Sequence, residues 1–194
     1  FDQAIGHDFL EDSDGRFDFY RTKEDKIGFD LEMFNTITKG GLSRKSLSIA
    51  LAGTGVGKTL FMTHCASANL MDGKNVLYIT MEMAEEKISE RIDANLMNVT
   101  IDTLKDMPKD VFDKKINRVK GKTTGKLIVK EYPTASAGSA HFRHLFNELK
   151  LKKNFVPDIV YIDYLNICTS SRMKAGANVN SYTLIKAIAE ELSL

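Results

Sequence analysis

One glycine-rich stretch, residues 46–59, constrains the fold of this chain more than any other. An apolar, β-capable run leads into a turn that closes on Gly57, Lys58 and Thr59, and the helix-forming segment 60–71 follows at once. Glycines let backbone N–H groups curl around phosphate oxygens, and the start of a helix adds its positive end. This strand–loop–helix pattern predicts a phosphate-binding loop, so we expect the chain to bind a nucleoside triphosphate.

The spacing also assigns a role to individual loop positions. Lys58 can reach the β- and γ-phosphates, and the Thr59 hydroxyl can bind Mg²⁺. A glycine-rich turn without a nucleotide is the alternative, which Lys-Thr in register after a strand disfavours. Ala52 stands where the pattern more often begins with Gly. The predicted nucleotide-binding residues are Ala52, Gly53, Thr54, Gly55, Val56, Gly57, Lys58 and Thr59.

A second landmark is the apolar run 158–164, which reads as a buried strand with an acid near its end. At the carboxyl edge of a parallel sheet, Asp163 can hold the water shell of a Mg²⁺ ion bound to phosphate. Apolar runs that end in Asp are common by chance, so the assignment depends on Lys58 and Thr59 being present as well. We predict Asp163 as the acidic partner of the loop.

Short apolar strands alternate with helices along the chain. This order predicts an α/β domain with a mainly parallel sheet and helices on both faces. The predicted strands are 75–80, 127–129 and 158–164, and the predicted helices are 60–71, 84–97, part of 102–119, 139–153 and 182–192.

The composition is that of an ordinary globular chain. The chain has 194 residues and a formal net charge of +1, so its surface is not strongly basic as a whole. Any nucleic acid would therefore bind a local basic patch. Cys65 and Cys168 have no metal-ligand spacing, which favours a reducing cytoplasm. No apolar run reaches membrane-spanning length, so we expect no membrane contact. Because the first residue is Phe1, we expect a part of a longer protein.

Three weaker signals are set aside. A second Gly-Lys-Thr, residues 121–123, follows a charged helix and has Ile116 where the pattern needs Gly or Ala. His141 and His144 have a spacing that a metal could use, but no acid or cysteine is near them in sequence. The lysines at 150, 152 and 153 are more typical of a solvated helix end than of a nucleic-acid contact.

Hydrolysis requires an acid that orients water near the γ-phosphate without binding the metal. Asp163 is followed by Tyr164, so a second acid is missing there. Glu82 is the substitute, because it follows the predicted strand 75–80 and so lies at the same sheet edge. The alternative role is a charge in the first turn of the next helix, where the dipole favours it. From the residues alone, neither of these two roles of Glu82 is favoured over the other.

Four motifs in order resemble the RecA-type motor domain of DnaB-family replicative helicases, most nearly those of T-even-like bacteriophages. The likeness runs from about residue 27 to 192. The motifs are LAGTGVGKT at 51–59, YITMEMA at 78–84, VYIDYL at 160–165 and SYTLIKAIAEEL at 181–192.

The resemblance implies a RecA-like P-loop NTPase core in a homo-hexameric ring. Such a ring hydrolyses ATP with Mg²⁺ at subunit interfaces, moves 5′ to 3′ along single-stranded DNA, and works with a primase and a helicase loader. It makes Glu82 the catalytic base beside Lys58 and Asp163. The loop that follows Asp163 faces the central channel in this family, so Arg172 and Lys174 are candidate DNA contacts, with a plain surface loop an equal alternative.

The same resemblance divides the chain. Residues 1–26 correspond to a linker or arm to the neighbouring subunit, and residues 27–194 to the motor domain, truncated at its C-terminus. The arginine finger, the sensor glutamine and the later DNA loops are expected beyond Leu194. Three competing functions remain: a RecA-like strand-exchange recombinase, a small-molecule phosphotransferase, and an ATP-gated assembly factor. An arginine-rich lid, which the phosphotransferase needs, is not evident in the sequence.

Overall fold

The structure, a computed structural model, describes residues 9–11, 13–53, 55–133 and 137–164. Helices and strands alternate between residues 58 and 163, as the sequence predicts. The elements in chain order are α1 (Ser13–Arg21), β1 (Lys26–Ile27), α2 (Glu32–Ile37), β2 (Leu42–Ser43), α3 (Lys58–Met71), β3 (Val76–Thr80), α4 (Glu85–Met97), α5 (Ile101–Lys105), α6 (Lys109–Lys120), β4 (Leu127–Glu131), α7 (Ser139–Lys153) and β5 (Ile159–Asp163).

Strands β4, β3 and β5 form a parallel sheet in that order. The central strand β3 is buried along its whole length, which matches its continuous apolar sequence. Val76 pairs with Leu127 on one side and with Ile159 on the other, and Thr80 pairs with Asp163 at the carboxyl end. The three strands therefore end together at one edge of the sheet.

Helices cover both faces of this sheet, because successive side chains of a strand point to opposite sides. Val76 and Tyr78 pack with residues of α3 and α4, and Leu77 and Ile79 pack with residues of α7. The predicted α/β architecture, with a parallel sheet between helices, is confirmed.

Most predicted element bounds that fall on described residues are close to those observed, whereas the helix predicted at 182–192 lies outside the described residues. The helix predicted at 60–71 begins earlier, at Lys58, and the one predicted at 139–153 is α7. The charged segment 102–119 contains α5 and α6, which are separated before Lys109 by Pro108. Strand β4 continues to Glu131, beyond the predicted end at Val129.

The strand predicted just before the phosphate loop is wrong. Residues 46–53 carry no strand assignment, and Leu47, Ile49 and Leu51 are 46%, 54% and 93% exposed. A β-capable run forms a stable strand only when a neighbour pairs with it. Among the described residues no strand pairs with this run, so its apolar side chains have no sheet face to pack against.

The chain before the loop is attached to the sheet through polar contacts. Strands β1 and β2 form an antiparallel ribbon. Arg44, just after β2, lies 2.8 Å from Asp25 and 3.5 Å from Asp158, the residue before β5. Asp158 also accepts a hydrogen bond from the Asn75 amide at 2.9 Å. The ribbon is thus held beside the amino end of the sheet.

Helix α1 contains no buried residue, and Phe17, Phe19 and Tyr20 are exposed on it. The division of the chain at residue 26 stays a prediction. None of the helices in the described part of the chain has the length and apolarity needed to cross a bilayer.

Candidate nucleotide-binding site

The start of α3 has the features of an anion-binding helix terminus. Gly55 and Gly57 have φ angles of 76° and 102°, which glycine adopts without the strain that a side chain would add. The first hydrogen bond of the helix runs from the Phe61 amide to the Gly57 carbonyl at 2.9 Å. The amides of residues 58–60 therefore have no carbonyl of the same helix to bond. No acidic residue lies in the first turn of α3 to oppose an anion. These features suit phosphate binding.

Among the described residues the loop is an open surface and not a closed pocket. Ala52, Gly53, Gly55 and Val56 are exposed, and Gly57, Lys58 and Thr59 are half-buried. Thr54 lies outside the described residues. Two cavities of about 360 and 410 Å³ lie farther along α3, where it faces α4, α5 and α6, and none of their lining residues belongs to the loop. The phosphate site is therefore a shallow cradle.

Asp163 ends β5 and is 1% exposed. Its Oδ2 accepts a hydrogen bond from the Tyr78 hydroxyl at 3.0 Å, whereas its Oδ1 is buried and has no hydrogen-bond partner among the described residues. The Asp163 carbonyl accepts a bond from the Met81 amide at 2.9 Å, which joins the ends of β5 and β3. A buried carboxylate oxygen without a partner is unfavourable unless water or a cation meets it.

The loop and the acidic strand end meet through Tyr164. The Lys58 ammonium nitrogen lies 3.9 Å from the centre of the Tyr164 ring, a cation–π distance. Tyr164 directly follows Asp163, so the first residue of α3 touches the residue next to the buried acid. The structure thus brings Lys58 and Asp163 to the same edge of the sheet, as the sequence predicts.

Glu82 lies in the connection between β3 and α4, and it is exposed. The Thr80 hydroxyl donates to the Met83 carbonyl at 2.8 Å and lies 3.2 Å from the Met83 amide, which donates to it. These bonds hold the turn that carries Glu82 against the end of the strand. The alternative that places Glu82 in the first turn of a helix is wrong, since α4 begins at Glu85.

A reciprocal contact joins the start of α4 to the end of β4. The Glu131 amide donates to Glu85 Oε1 at 2.8 Å, and the Glu85 amide donates to Glu131 Oε2 at 3.2 Å. Lys130 Nζ lies 3.6 Å from the same Glu85 oxygen, which reduces the repulsion between the two carboxylates. This contact fixes the far end of the Glu82 turn.

Several residues of this edge were missed by sequence reasoning, namely Tyr78, Thr80, Glu131 and Tyr164. Tyr78 and Thr80 look like ordinary strand residues, and their role depends on the pairing of β3 with a strand 83 residues later. The alternation of side chains along a strand could have revealed these two residues. Once the parallel register is known, residues 78 and 80 lie on the same face of the sheet as Asp163.

The weaker candidates have structural roles where they are described. The Thr123 hydroxyl bonds the Leu70 carbonyl and accepts from the Gly125 amide at 2.9 Å, so it serves a turn beside α3. His141 Nδ1 accepts from the Gly138 amide at 3.3 Å. Within the described ranges no group of three or more His, Cys, Asp or Glu side chains is arranged to hold a metal. Arg172 and Lys174 lie outside the described residues.

The sequence and the fold are both similar to those of known proteins. The family model for the DnaB-like helicase C terminal domain matches residues 27–194. The chain is 47% identical over 195 residues to a DnaB-like replicative helicase of Enterobacteria phage T4, and the match covers 99% of this chain. It covers 41% of the phage protein, so the chain spans about two fifths of that relative.

Two solved structures share the fold at low sequence identity. One, the structure of a DnaB-like replicative helicase and its interactions with primase, aligns over 96% of this chain and 46% of its own, at 18% identity with a TM-score of 0.67. The other, the ATPase domain of G40P, aligns over 92% of this chain and 62% of its own, at 17% identity with a TM-score of 0.66. Both support the same α/β architecture.

Proposed function

The chain belongs to the family of DnaB-like helicase C-terminal domains, and on that premise we propose that it is the ATP-hydrolysing motor of a replicative DNA helicase. The observation that carries the proposal is the contact of Lys58 with Tyr164, beside the buried Asp163. It joins a phosphate cradle to an acid at the carboxyl edge of a parallel sheet, where such folds bind ligands.

ATP is the proposed substrate, bound by the loop and the start of α3. Backbone amides of the loop donate hydrogen bonds to the phosphate oxygens, and the Lys58 ammonium neutralises charge on the β- and γ-phosphates. An ammonium over an aromatic ring is free to leave it for a phosphate, which is the stronger partner. The proposed binding residues are Ala52, Gly53, Thr54, Gly55, Val56, Gly57, Lys58 and Thr59.

The residues present fit a Mg²⁺ ion that enters with the nucleotide. Such an ion takes oxygen ligands and keeps several waters, so one hydroxyl, one carboxylate and the phosphates are enough. Thr59 and Asp163 would hold it. Oδ1 of Asp163 is buried and has no hydrogen-bond partner among the described residues, so a cation or its bound water would satisfy it. When bound, the ion shields the negative charge of the phosphates.

Glu82 is the proposed general base. It is an exposed carboxylate on a turn held at both ends, two residues beyond the strand that pairs with β5. It accepts a proton from a water molecule as the water oxygen bonds to the γ-phosphorus, while the bond from that phosphorus to the ADP oxygen breaks. ADP and inorganic phosphate are the products.

The larger assembly is part of the same proposal. The motor forms a homo-hexameric ring, moves 5′ to 3′ on single-stranded DNA and unwinds duplex, with Arg172 and Lys174 touching the DNA backbone. Residues 1–26 reach the neighbouring subunit, and the exposed aromatic side chains of α1 support this role. A primase and a helicase loader are proposed partners, and the similar helicase studied with primase supports the first.

The proposed location is a reducing cytoplasm, that of the bacterial host if the protein is phage-encoded. Cys65 is free and buried in α3, and burial raises the pKa of its thiol to about 11. This thiol stays protonated at neutral pH and is a poor partner for disulfide exchange.

The test is ATP hydrolysis with and without single-stranded DNA, for the unchanged protein, Glu82→Gln and the matched control Glu86→Gln. Glu86 is exposed in the first turn of α4. We expect DNA to stimulate turnover, Glu82→Gln to lower kcat by about 10²–10⁴, and Glu86→Gln to change little. Strand displacement then separates a helicase from a recombinase. Turnover that ignores DNA would favour a phosphotransferase or an ATP-gated assembly factor instead.

A further inference from the structure

The two oxygens of the Asp163 carboxylate have different surroundings. Oδ2 accepts the hydrogen bond from Tyr78, whereas Oδ1 is buried and no group in the described part of the chain bonds to it. We propose that Tyr78 is a positioning residue, which occupies one oxygen of Asp163 and so leaves the other oriented for the metal-bound water. This inference rests on the proposed function, in which Asp163 helps to hold Mg²⁺.

The register of the sheet explains how Tyr78 reaches Asp163. Tyr78 pairs with Tyr161 and Thr80 pairs with Asp163, so Tyr78 and Asp163 are diagonal neighbours on one face. Their side chains can meet because diagonal positions on adjacent strands are within reach of a long side chain. The hydroxyl of a shorter residue at position 78 would not span this separation.

A second ring holds Tyr78 in place. Tyr78 stacks on Tyr161 with ring centres 5.9 Å apart and an interplanar angle of 20°. The Tyr161 hydroxyl accepts a hydrogen bond from Asn69 of α3 at 2.7 Å. The contact with Tyr78 is thus made by the Tyr161 ring, whereas the Tyr161 hydroxyl is bonded to α3.

The hydrogen bond between Tyr78 and Asp163 is shielded from solvent. Tyr78 is fully buried and Asp163 is 1% exposed, and the Tyr78 hydroxyl donates to Asp163 Oδ2 at 3.0 Å. Bulk water therefore has little access to compete for this oxygen, and the orientation of the carboxylate is held from inside the fold.

Tyr78→Phe isolates this hydrogen bond, because it removes one oxygen atom and keeps the ring. The matched control is Tyr161→Phe, which deletes a phenol oxygen from the same sheet face and keeps the stacked ring, but removes a bond to Asn69 and none to Asp163. In the intact protein, we would measure the Mg²⁺ concentration for half-maximal ATP hydrolysis. The affinity for a fluorescent ADP, with and without Mg²⁺, supplies a readout independent of turnover.

We expect Tyr78→Phe to raise the half-saturating Mg²⁺ concentration about tenfold, the usual effect of losing a residue that orients a metal ligand. The Mg²⁺-dependent gain in ADP affinity should fall by a similar factor, and the metal-free affinity should not change. Tyr161→Phe should leave all three values close to those of the unchanged protein, although both variants melt at lower temperature.

Two outcomes would overturn the inference: an unchanged Mg²⁺ response in Tyr78→Phe, or an equal shift in Tyr161→Phe, which would indicate packing in place of positioning. Asp163→Asn separates this failure from that of the proposed function. If Asp163→Asn weakens the Mg²⁺ response and Tyr78→Phe does not, only the role of Tyr78 is wrong. If neither variant changes it, the metal role of Asp163 fails as well.

Discussion

The phosphate loop and the acidic edge of the sheet form the two sides of the proposed ATP site, yet they are built in opposite ways. The loop is exposed, and Leu51 beside it is 93% exposed. The edge stands on a strand whose residues Val76 to Ile79 are completely buried, and Asp163 is hydrogen-bonded within it. The acidic edge is therefore in place before the nucleotide binds, whereas the loop is exposed and accessible to it.

The difference follows from what holds each region. Glycines and the start of one helix shape the loop, so its pattern is local in the sequence. The acidic edge depends on strand pairing, such as the bond between Tyr78 and Asp163 across 85 positions of the chain. Substitutions in each region test whether this contrast is correct.

Within the loop, the largest effect is expected for Lys58. Lys58→Ala should lower ATP turnover by about 10²–10³, because it removes a charge that acts on the transferring phosphate. The matched control is Lys122→Ala in the second Gly-Lys-Thr, where Lys122 is exposed and the neighbouring Thr123 bonds the Leu70 carbonyl. Steady-state hydrolysis measures both. Equal losses in the two variants would mean that the wrong loop has been assigned.

The next effect concerns stability and compares one substitution in the two regions. Ile79→Ala, in the buried strand, should lower the free energy of unfolding by about 2–5 kcal/mol through lost burial and a cavity. Ile49→Ala, before the loop, should change it by less than about 0.5 kcal/mol, because Ile49 is 54% exposed. Urea denaturation measures both. A large loss in Ile49→Ala would indicate that residues 46–53 pack as a strand, contrary to the comparison.

A smaller effect should appear at the turn that carries Glu82. Thr80→Val keeps the shape of the side chain but removes both hydrogen bonds to Met83. We expect kcat to fall about tenfold, equivalent to about 1.4 kcal/mol, with KM unchanged, since the base acts on water and not on the nucleotide.

Thr63→Val controls for the loss of a buried hydroxyl. Thr63 is 2% exposed and bonds the Leu60 carbonyl at 3.1 Å within α3. This variant should leave kcat near its original value. An unchanged kcat in Thr80→Val, or an equal fall in Thr63→Val, would show that the turn does not position the base.

Much of the fold follows from local patterns in the sequence. The buried strand β3, the half-buried strand β5 and the helices α3, α4 and α7 are predicted, because apolar runs, periodicity and turn residues report them directly. The loop is predicted from its spacing, and Asp163 from its place near the end of an apolar run in a chain that has such a loop. The strand before the loop was predicted wrongly, since an apolar run such as that at Leu47, Ile49 and Leu51 cannot reveal whether a neighbouring strand pairs with it.

The contacts that prepare the acidic edge could not be predicted for a related reason. Thr80, Glu85 and Glu131 have roles only because three strands end at one level, and that level depends on register. A shift of one residue would turn the Tyr78 hydroxyl to the other face, away from Asp163. Sequence patterns indicate which segments pair, but these side-chain contacts require the pairing itself.

The most direct measurement is hydrogen–deuterium exchange of the intact protein with and without Mg²⁺ and a non-hydrolysable ATP analogue. The account predicts that amides of residues 52–60 exchange fast alone and slowly with nucleotide, because phosphate oxygens accept hydrogen bonds from them. Residues 76–80 and 159–163 should exchange slowly in both states, since they are already paired. Unchanged exchange in the loop, with new protection only along the cavity between α3, α4 and α6, would contradict the proposed site.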